Sequence, residues 1–144
     1  MKVLRRSAIV DRPAAVMFAL VNDIERYPDF VPDCSAAQIL ERSPEEIVAR
    51  LSVRRGPLQT HFTTRNRLKF PEAVEMTLVE GPFRSFAGHW HFKPLGERGC
   101  EIELLLRYQY SNPLKGMLLE PLLAETADQL VKAFVERARQ DVLP

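Results

Sequence analysis

Residues 100–114, CEIELLLRYQYSNPL, decide the fold because two kinds of periodicity meet within them. Apolar and aromatic residues take every second position of the first part, namely Ile102, Leu104, Leu106, Tyr108 and Tyr110. This alternation predicts a strand with one buried face. Asn112-Pro113 then fits a helix start, because asparagine caps free N–H groups and proline is tolerated in the first helical turn.

The helix that starts at Asn112-Pro113 is expected to run to about Asp141. Its apolar residues recur at helical spacing, and they are Leu114, Met117, Leu118, Leu122, Leu123, Leu130, Val131, Phe134 and Ala138. Pro121 lies inside this segment and is expected to kink or break its first part.

Upstream, residues 34–110 alternate with a period of two and predict six consecutive strands. Phe62 and Thr64, for example, share one face of their strand, while His61, Thr63 and Arg65 share the other. The connections are short, and turn signals such as Gly56-Pro57 separate the strands, so an antiparallel meander is expected.

Residues 2–10, KVLRRSAIV, predict a first strand. Asp11 is expected to cap a following helix that has Pro13 in its first turn. A second short helix is expected over residues 22–30, which Pro28 and Pro32 end or distort.

This order of elements predicts one α+β domain over residues 1–144. We expect a curved antiparallel seven-stranded sheet wrapped around the long C-terminal helix, with two short helices after the first strand. A single helix across such a sheet leaves space between them. Either side chains or a ligand can fill that space, and periodicity leaves both alternatives open.

The composition is that of an ordinary globular protein. The 144 residues carry a net charge of +1 and a pI of about 7.8, which gives no global reason to expect nucleic acid binding, and we expect no DNA partner. The N-terminal residues do not match a signal peptide, and the longest apolar run, residues 14–21, is too short to span a bilayer. We therefore expect a cytoplasmic protein with no transmembrane segment, whose membrane contact is peripheral, at the inner membrane. Cys34 and Cys100 are expected to be buried free thiols.

Four motifs carry a resemblance to a known family. They are YPDFVPDC at 27–34, GPFRSFAGHWHFKPL at 81–95, the opening stretch at 100–114 and LVKAFVERA at 130–138. Together they resemble the coenzyme Q-binding branch of the START-like (helix-grip) superfamily, also described as polyketide cyclase and lipid transport proteins. The bacterial members of this branch are commonly labelled ribosome association toxins. The resemblance covers essentially the whole chain, and Asp33 departs from the aromatic residue that close relatives often carry there.

The resemblance implies a cavity that binds ubiquinone or a similar polyprenyl lipid, and a role as a lipid carrier or chaperone that supports respiration. No cofactor is required for this role. The resemblance also implies an alternative, in which the protein binds the large ribosomal subunit and blocks subunit joining.

The expected ligand contacts come from the inward strand positions, from the long helix and from the loop after the second short helix. In that loop, Tyr27 and Phe30 are expected to form a rim. Trp90 carries an N–H group and Tyr108 an O–H group, and a quinone carbonyl is able to accept a hydrogen bond from either. Gly88 either makes room for the ligand or helps the sheet bend. The full set is Tyr27, Phe30, Phe62, Met76, Leu78, Phe83, Trp90, Leu104, Leu106, Tyr108, Leu123, Leu130 and Phe134.

A second candidate surface consists of basic residues on outward strand positions, Arg54, Arg65, Arg67 and Lys69, with Arg5 and Arg6 on the first strand. Two interpretations are open. The residues form a solvated face, or they bind ribosomal RNA or anionic lipid headgroups.

Catalytic and metal sites are not expected. His89 and His91 form an H-x-H pair, but they alternate with Trp90 and therefore point away from an apolar interior. No carboxylate pair falls on the inward positions, so cyclase or hydrolase activity is the weaker alternative.

Overall fold

The computed structural model describes residues 1–140, so the predicted helix end at Asp141 lies outside it. Within these residues the chain forms strands, three α-helices and a short 3₁₀ turn. In chain order they are β1 Lys2–Val10, α1 Ala14–Asn22, the 3₁₀ turn Ile24–Arg26, α2 Tyr27–Phe30, β2 Cys34–Arg42, β3 Glu46–Arg55, β4 Leu58–Lys69, β5 Ala73–Glu80, β6 Phe83–Leu95, β7 Gly99–Tyr110 and α3 Pro113–Gln140.

The strands form one seven-stranded sheet in the order β1-β7-β6-β5-β4-β3-β2. Each neighbouring pair is antiparallel, so the predicted meander is confirmed. β1 departs from chain order because it pairs with β7, with Leu4 opposite Leu106. The segment that contains α1 and α2 therefore carries the chain from one edge of the sheet to the other.

The long helix α3 starts where the sequence predicts. The side-chain oxygen of Asn112 accepts a hydrogen bond from the backbone N–H of Lys115 at 2.9 Å, which is an N-cap contact. α3 continues through Pro121, so of the predicted kink or break the break is wrong. Pro121 is exposed, and the carbonyl that loses its intrahelical partner belongs to Met117, which is itself 72% exposed. Water is available to this carbonyl, and the missing bond is tolerated.

The start of α1 corrects a second prediction. Asp11 does not cap this helix, because Pro13 occupies the N-cap position and no side-chain cap is formed. The carbonyl of Pro13 accepts from the N–H groups of Val16 and Met17 at 3.0 and 3.2 Å. Pro28 lies within the first turn of α2 and does not end it, since no intrahelical bond is required of its nitrogen there.

α3 packs most closely against β1, β7 and α1. Its backbone approaches β3, β4 and β5 less closely, and this difference leaves space over the middle of the sheet. Within residues 1–140, each helix is too short or too polar to cross a membrane.

Candidate binding cavity

A cavity lies between the inner face of the sheet, one side of α3 and the segment from α1 to β2. The volume open to the centre of a water-sized sphere is about 100 Å³. By this measure one water needs roughly 10–15 Å³, so the cavity has room for about 7–10 waters. Since one water takes up about 30 Å³ in the liquid, these waters together would fill roughly 200–300 Å³. This is enough for one substituted ring and too little for a tail of several isoprene units.

Most of the residues predicted to contact a ligand line this cavity. β4 and β5 supply Phe62 and Met76, and α3 supplies Leu123 and Leu130. The other predicted residues in the lining are Tyr27, Phe83, Trp90, Leu104, Leu106 and Tyr108. The sheet therefore brings Phe62 and Tyr108, which are 46 positions apart along the chain, to the same cavity, because strands that pair in register present the same face.

Three predicted residues lie outside the lining: Phe30, Leu78 and Phe134. Phe134 is fully buried, and its ring packs edge-on against Tyr27, Phe30 and Trp90 at centroid distances of 5.3, 5.5 and 5.3 Å. This aromatic cluster joins α2, β6 and α3. Leu78 is half-buried and packs against the core. Phe134 therefore links α3 to α2 and to β6.

The sequence reasoning did not identify several lining residues. β3 contributes Ala49, Leu51 and Val53, whose two-residue spacing was the available signal. β4 contributes Thr64 and Asn66, and α3 contributes Thr126 and Ala127. The remaining members are Val21, Asn22, Ile24, Val31, Cys34, Val74 and Phe86. None of the lining side chains that the structure describes is charged.

Tyr108, predicted as a hydrogen-bond donor to a ligand, donates to the protein. Its hydroxyl contacts both carboxylate oxygens of Glu120, at 2.8 and 3.1 Å, and Tyr110 donates to the same carboxylate at 2.9 Å. Burial, followed by the hydrogen bond to Glu120, raises the pKa of both phenols above their ordinary value. These contacts tie β7 to the first half of α3 and leave Tyr108 as an apolar wall of the cavity.

The space beside Gly88 is occupied by the protein. A Cβ atom at this position would lie 2.6 Å from a methyl carbon of Leu106 and 2.8 Å from the carbonyl oxygen of Leu105. The structure therefore does not support the interpretation that Gly88 makes room for a ligand. The missing side chain allows Leu106 to pack across β6.

A charged contact lies next to the cavity lining in sequence. Arg55, at the end of β3, donates to Asp33 at 2.5 Å and to Glu125 on α3 at 2.8 Å. We name this triad of Arg55, Asp33 and Glu125 the rim clamp. Asp33 has a positive φ of 66°, and its carbonyl accepts from the N–H of Arg54 at 2.8 Å. The lining residues Cys34, Leu123 and Thr126 lie close in sequence to members of the clamp.

The predicted basic surface is only partly basic. Arg65 pairs with Glu46 at 2.5 Å, Lys69 pairs with Glu75 at 2.7 Å, and Arg67 also attracts Glu75. The lysine lowers the pKa of Glu75 first by its hydrogen bond and then by its charge. Arg54 lies on the same outer face, opposite Gln59.

Arg6 does not belong to this outer surface. Successive residues of a strand point to opposite faces, so Arg5 and Arg6 diverge. Arg6 lies on the α3 side of β1 and pairs with Asp128, whereas Arg5 lies 3.9 Å from Glu103.

The histidines lie on the outer face, as the alternation predicts. His89 contacts Glu103 at 3.3 Å, and His61 contacts Glu80 at 3.4 Å. Among residues 1–140 no group of three or more potential metal ligands comes together. Cys34 and Cys100 are both buried and free, which confirms the prediction.

Comparisons with known proteins agree with this architecture. A family model described as "Polyketide cyclase / dehydrase and lipid transport" matches residues 10–135. A Pseudomonas aeruginosa protein named "Ribosome association toxin RatA" is 46% identical over 137 residues, which cover 95% of each chain. A Dictyostelium discoideum protein named "Coenzyme Q-binding protein COQ10, mitochondrial" is 25% identical over 129 residues, covering 87% of this chain and 63% of that protein.

Solved structures show the same fold. The Zhui aromatase/cyclase from Streptomyces sp. R1128 superposes with a TM-score of 0.87 at 18% identity, covering 99% of this chain and 96% of that one. A START superfamily protein from Mycobacterium smegmatis superposes with a TM-score of 0.80 at 24% identity, covering 96% and 97%. The predicted START-like, helix-grip fold is therefore confirmed.

Proposed function

Because this chain belongs to the polyketide cyclase/dehydrase and lipid transport family, we propose that its cavity binds a hydrophobic isoprenoid ligand, and that this ligand is ubiquinone. The observation that carries the proposal is the cavity itself, with its apolar and aromatic lining. Burial of apolar surface stabilises a complex by about 25 cal/mol per Å². The family description includes lipid transport, and one relative is named as a coenzyme Q-binding protein, which supports the choice of ligand.

The size of the cavity favours one mode of binding. The ring of the ligand fills the cavity, and the tail extends out of it. The protein then acts as a carrier or chaperone that supports respiratory electron transport. No cofactor and no covalent step are part of this function, and no catalytic residue is proposed. The aromatase/cyclase likeness lies below 25% identity and concerns the fold alone.

Binding is measurable through Trp90, the one tryptophan of the sequence, which lines the cavity. Titration with a short-tail ubiquinone is expected to quench its fluorescence with saturation at one equivalent. A non-saturating signal, equal to that of free tryptophan under the same conditions, would contradict the proposal.

Contact with a membrane surface is the second part of this proposal, because a polyprenyl quinone resides in the bilayer. The first turns of α3 expose Leu114, Met117 and Leu118 at 63%, 72% and 55%. These side chains are able to enter the interface, as in peripheral amphipathic helices. We propose a cytoplasmic protein that touches the inner membrane there. Replacing all three by serine is expected to abolish co-flotation with vesicles, and unchanged flotation would refute the contact.

A second candidate function is association with the large ribosomal subunit. The observation in its favour is the name of the relative that is 46% identical, "Ribosome association toxin RatA". The proposed surface consists of Arg54, Arg65, Arg67 and Lys69 on the outer face, opposite to the cavity. Exposed ion pairs contribute little, about 0–1 kcal/mol, so phosphate groups are able to replace the carboxylate partners.

Co-sedimentation with ribosomal subunits at two salt concentrations tests this surface. The double reversal Arg65→Glu and Arg67→Glu is expected to weaken binding and to flatten its salt dependence, since fewer phosphate contacts release fewer counterions. Arg98→Glu, an exposed residue between β6 and β7, is the matched control. Sedimentation that is the same for the double variant and the control would contradict this surface.

A further inference from the structure

Asn66 is a buried amide in a mostly apolar cavity wall. It continues the inward alternation of β4 after Phe62 and Thr64, and it lies opposite Met76 on β5. Both Asn66 and Thr64 are only 7% exposed. An amide in such a place costs free energy unless its donors and acceptor find partners.

The acceptor of this amide has a partner and the donor does not. The hydroxyl of Thr64 donates to Oδ1 of Asn66 at 2.7 Å. Among residues 1–140, no group accepts a hydrogen bond from Nδ2 of Asn66. This nitrogen is not among the fully buried polar atoms without a partner, so it is accessible to a water-sized molecule. Because Asn66 lines the cavity, its two N–H groups are available to a bound molecule.

The other polar side chains of the wall already donate within the protein. Thr126 donates to the carbonyl of Leu122 at 2.8 Å, and Tyr108 donates to Glu120. The remaining three, Asn22, Tyr27 and Cys34, donate to backbone carbonyls. The indole N–H of Trp90 has no acceptor in the part of the chain that the structure describes, but no neighbouring polar group orients it, and its ring packs between Phe92 and Phe134.

We propose that Asn66, oriented by Thr64, is the specificity-determining residue of the cavity and donates to an acceptor oxygen of the ligand. The ligand class that fits is an apolar molecule with a carbonyl group at its buried end. This inference rests on the proposed function and deepens it, since it separates carbonyl lipids from pure hydrocarbons. A quinone carbonyl only accepts hydrogen bonds and therefore matches the free donors of Asn66, whereas a quinol hydroxyl also brings a donor that must leave water on binding.

The test compares two ligands with wild-type protein and two variants by the fluorescence of Trp90. The ligands are a short-tail ubiquinone and an isoprenoid hydrocarbon of equal tail length, the latter measured by displacement of the quinone. Asn66→Leu keeps the approximate size of the side chain and removes the donor. Thr126→Val is the matched control, because Thr126 lines the cavity but has its hydrogen engaged.

Asn66→Leu is expected to weaken quinone binding about 3- to 10-fold, the range for one lost hydrogen bond, and to leave hydrocarbon binding unchanged or tighter. Thr126→Val is expected to change neither the affinity for the quinone nor the affinity for the hydrocarbon. Equal quinone affinity in Asn66→Leu and wild type, or equal losses for both ligands, would overturn the role of Asn66 alone. Wild-type protein that binds neither ligand would refute the proposed function itself.

A measurement without substitution keeps the inference testable if Asn66→Leu does not fold. Wild-type protein is titrated with the same short-tail compound in its quinone form and, under anaerobic reduction, in its quinol form. The quinone is expected to bind at least about 3-fold more tightly. Equal or tighter binding of the quinol would contradict the proposed preference for a ligand that only accepts.

Discussion

Truncation of Phe134 to alanine tests whether the aromatic cluster couples the rim to the helix. The ring is fully buried and has Tyr27, Phe30 and Trp90 on three sides, at 5.3–5.5 Å between centroids. Phe→Ala in a core costs about 3–5 kcal/mol, and partners from three different elements limit the collapse of the cavity. We therefore expect a loss near the upper end, about 4–5 kcal/mol. With an unfolding entropy of about 2.1 cal/mol/K per residue, Tm falls by roughly 15 °C.

The matched control for this prediction is Phe70→Ala. Phe70 is 68% exposed and makes one edge-on contact with Phe18, at 5.1 Å. A single aromatic pair contributes about 0.5–1.5 kcal/mol, so this variant is expected to lose no more than about 1.5 kcal/mol. Urea titration and thermal scans of both variants measure the difference. If Phe134→Ala costs no more than Phe70→Ala, the cluster does not hold the rim against the helix.

Three further predictions concern packing, pH and the rim clamp. Gly88→Ala is expected to lower the free energy of unfolding by about 1–3 kcal/mol in urea titrations, because its methyl group overlaps Leu106, and an unchanged midpoint would contradict that packing. Burial raises the pKa of Cys34 from 9.0 to about 11, so the thiol's contribution to the free energy of unfolding is present below pH 9 and is lost as the pH rises through 11. In Cys34→Ala the free energy of unfolding is therefore expected to decline less between pH 9 and 11 than in the wild type. A parallel decline in both proteins would be inconsistent with the pKa shift. Arg55→Met removes the clamp contacts to Asp33 and Glu125. It is expected to speed amide hydrogen exchange at residues 27–34 and to leave the exchange of β7 unchanged. Protection at residues 27–34 equal to that of the wild type would argue against a clamp.

The strands and the long helix were predictable because each is long enough to show its own period. The alternation in residues 100–114 and its change at Asn112 correspond to β7 and the start of α3. Boundaries were harder where one residue decides them. Asp11 has the right chemistry for a cap, yet Pro13 ends up at the N-cap, and the pattern of side chains does not encode this two-residue difference.

The cavity was predictable in part, from the inward positions of the strands. Asn66 could have been found in the same way, since it follows Phe62 and Thr64 by the same step of two. Contacts between distant segments could not be read from a period. Arg6 and Asp128 are 122 positions apart, and the sequence does not reveal that the hydroxyl of Tyr108 meets Glu120.

Native mass spectrometry of protein purified from cells tests the central claim, that the cavity binds a hydrophobic isoprenoid. Wild-type protein is compared with Ala127→Phe, in which a ring enters the space of about 100 Å³, and with Ala87→Phe, the same change on the exposed outer face. We predict a bound lipid mass on the wild type and on Ala87→Phe, and its loss from Ala127→Phe. Equal lipid on all three proteins, or no lipid on the wild type together with no quinone uptake after mixing, would contradict the claim.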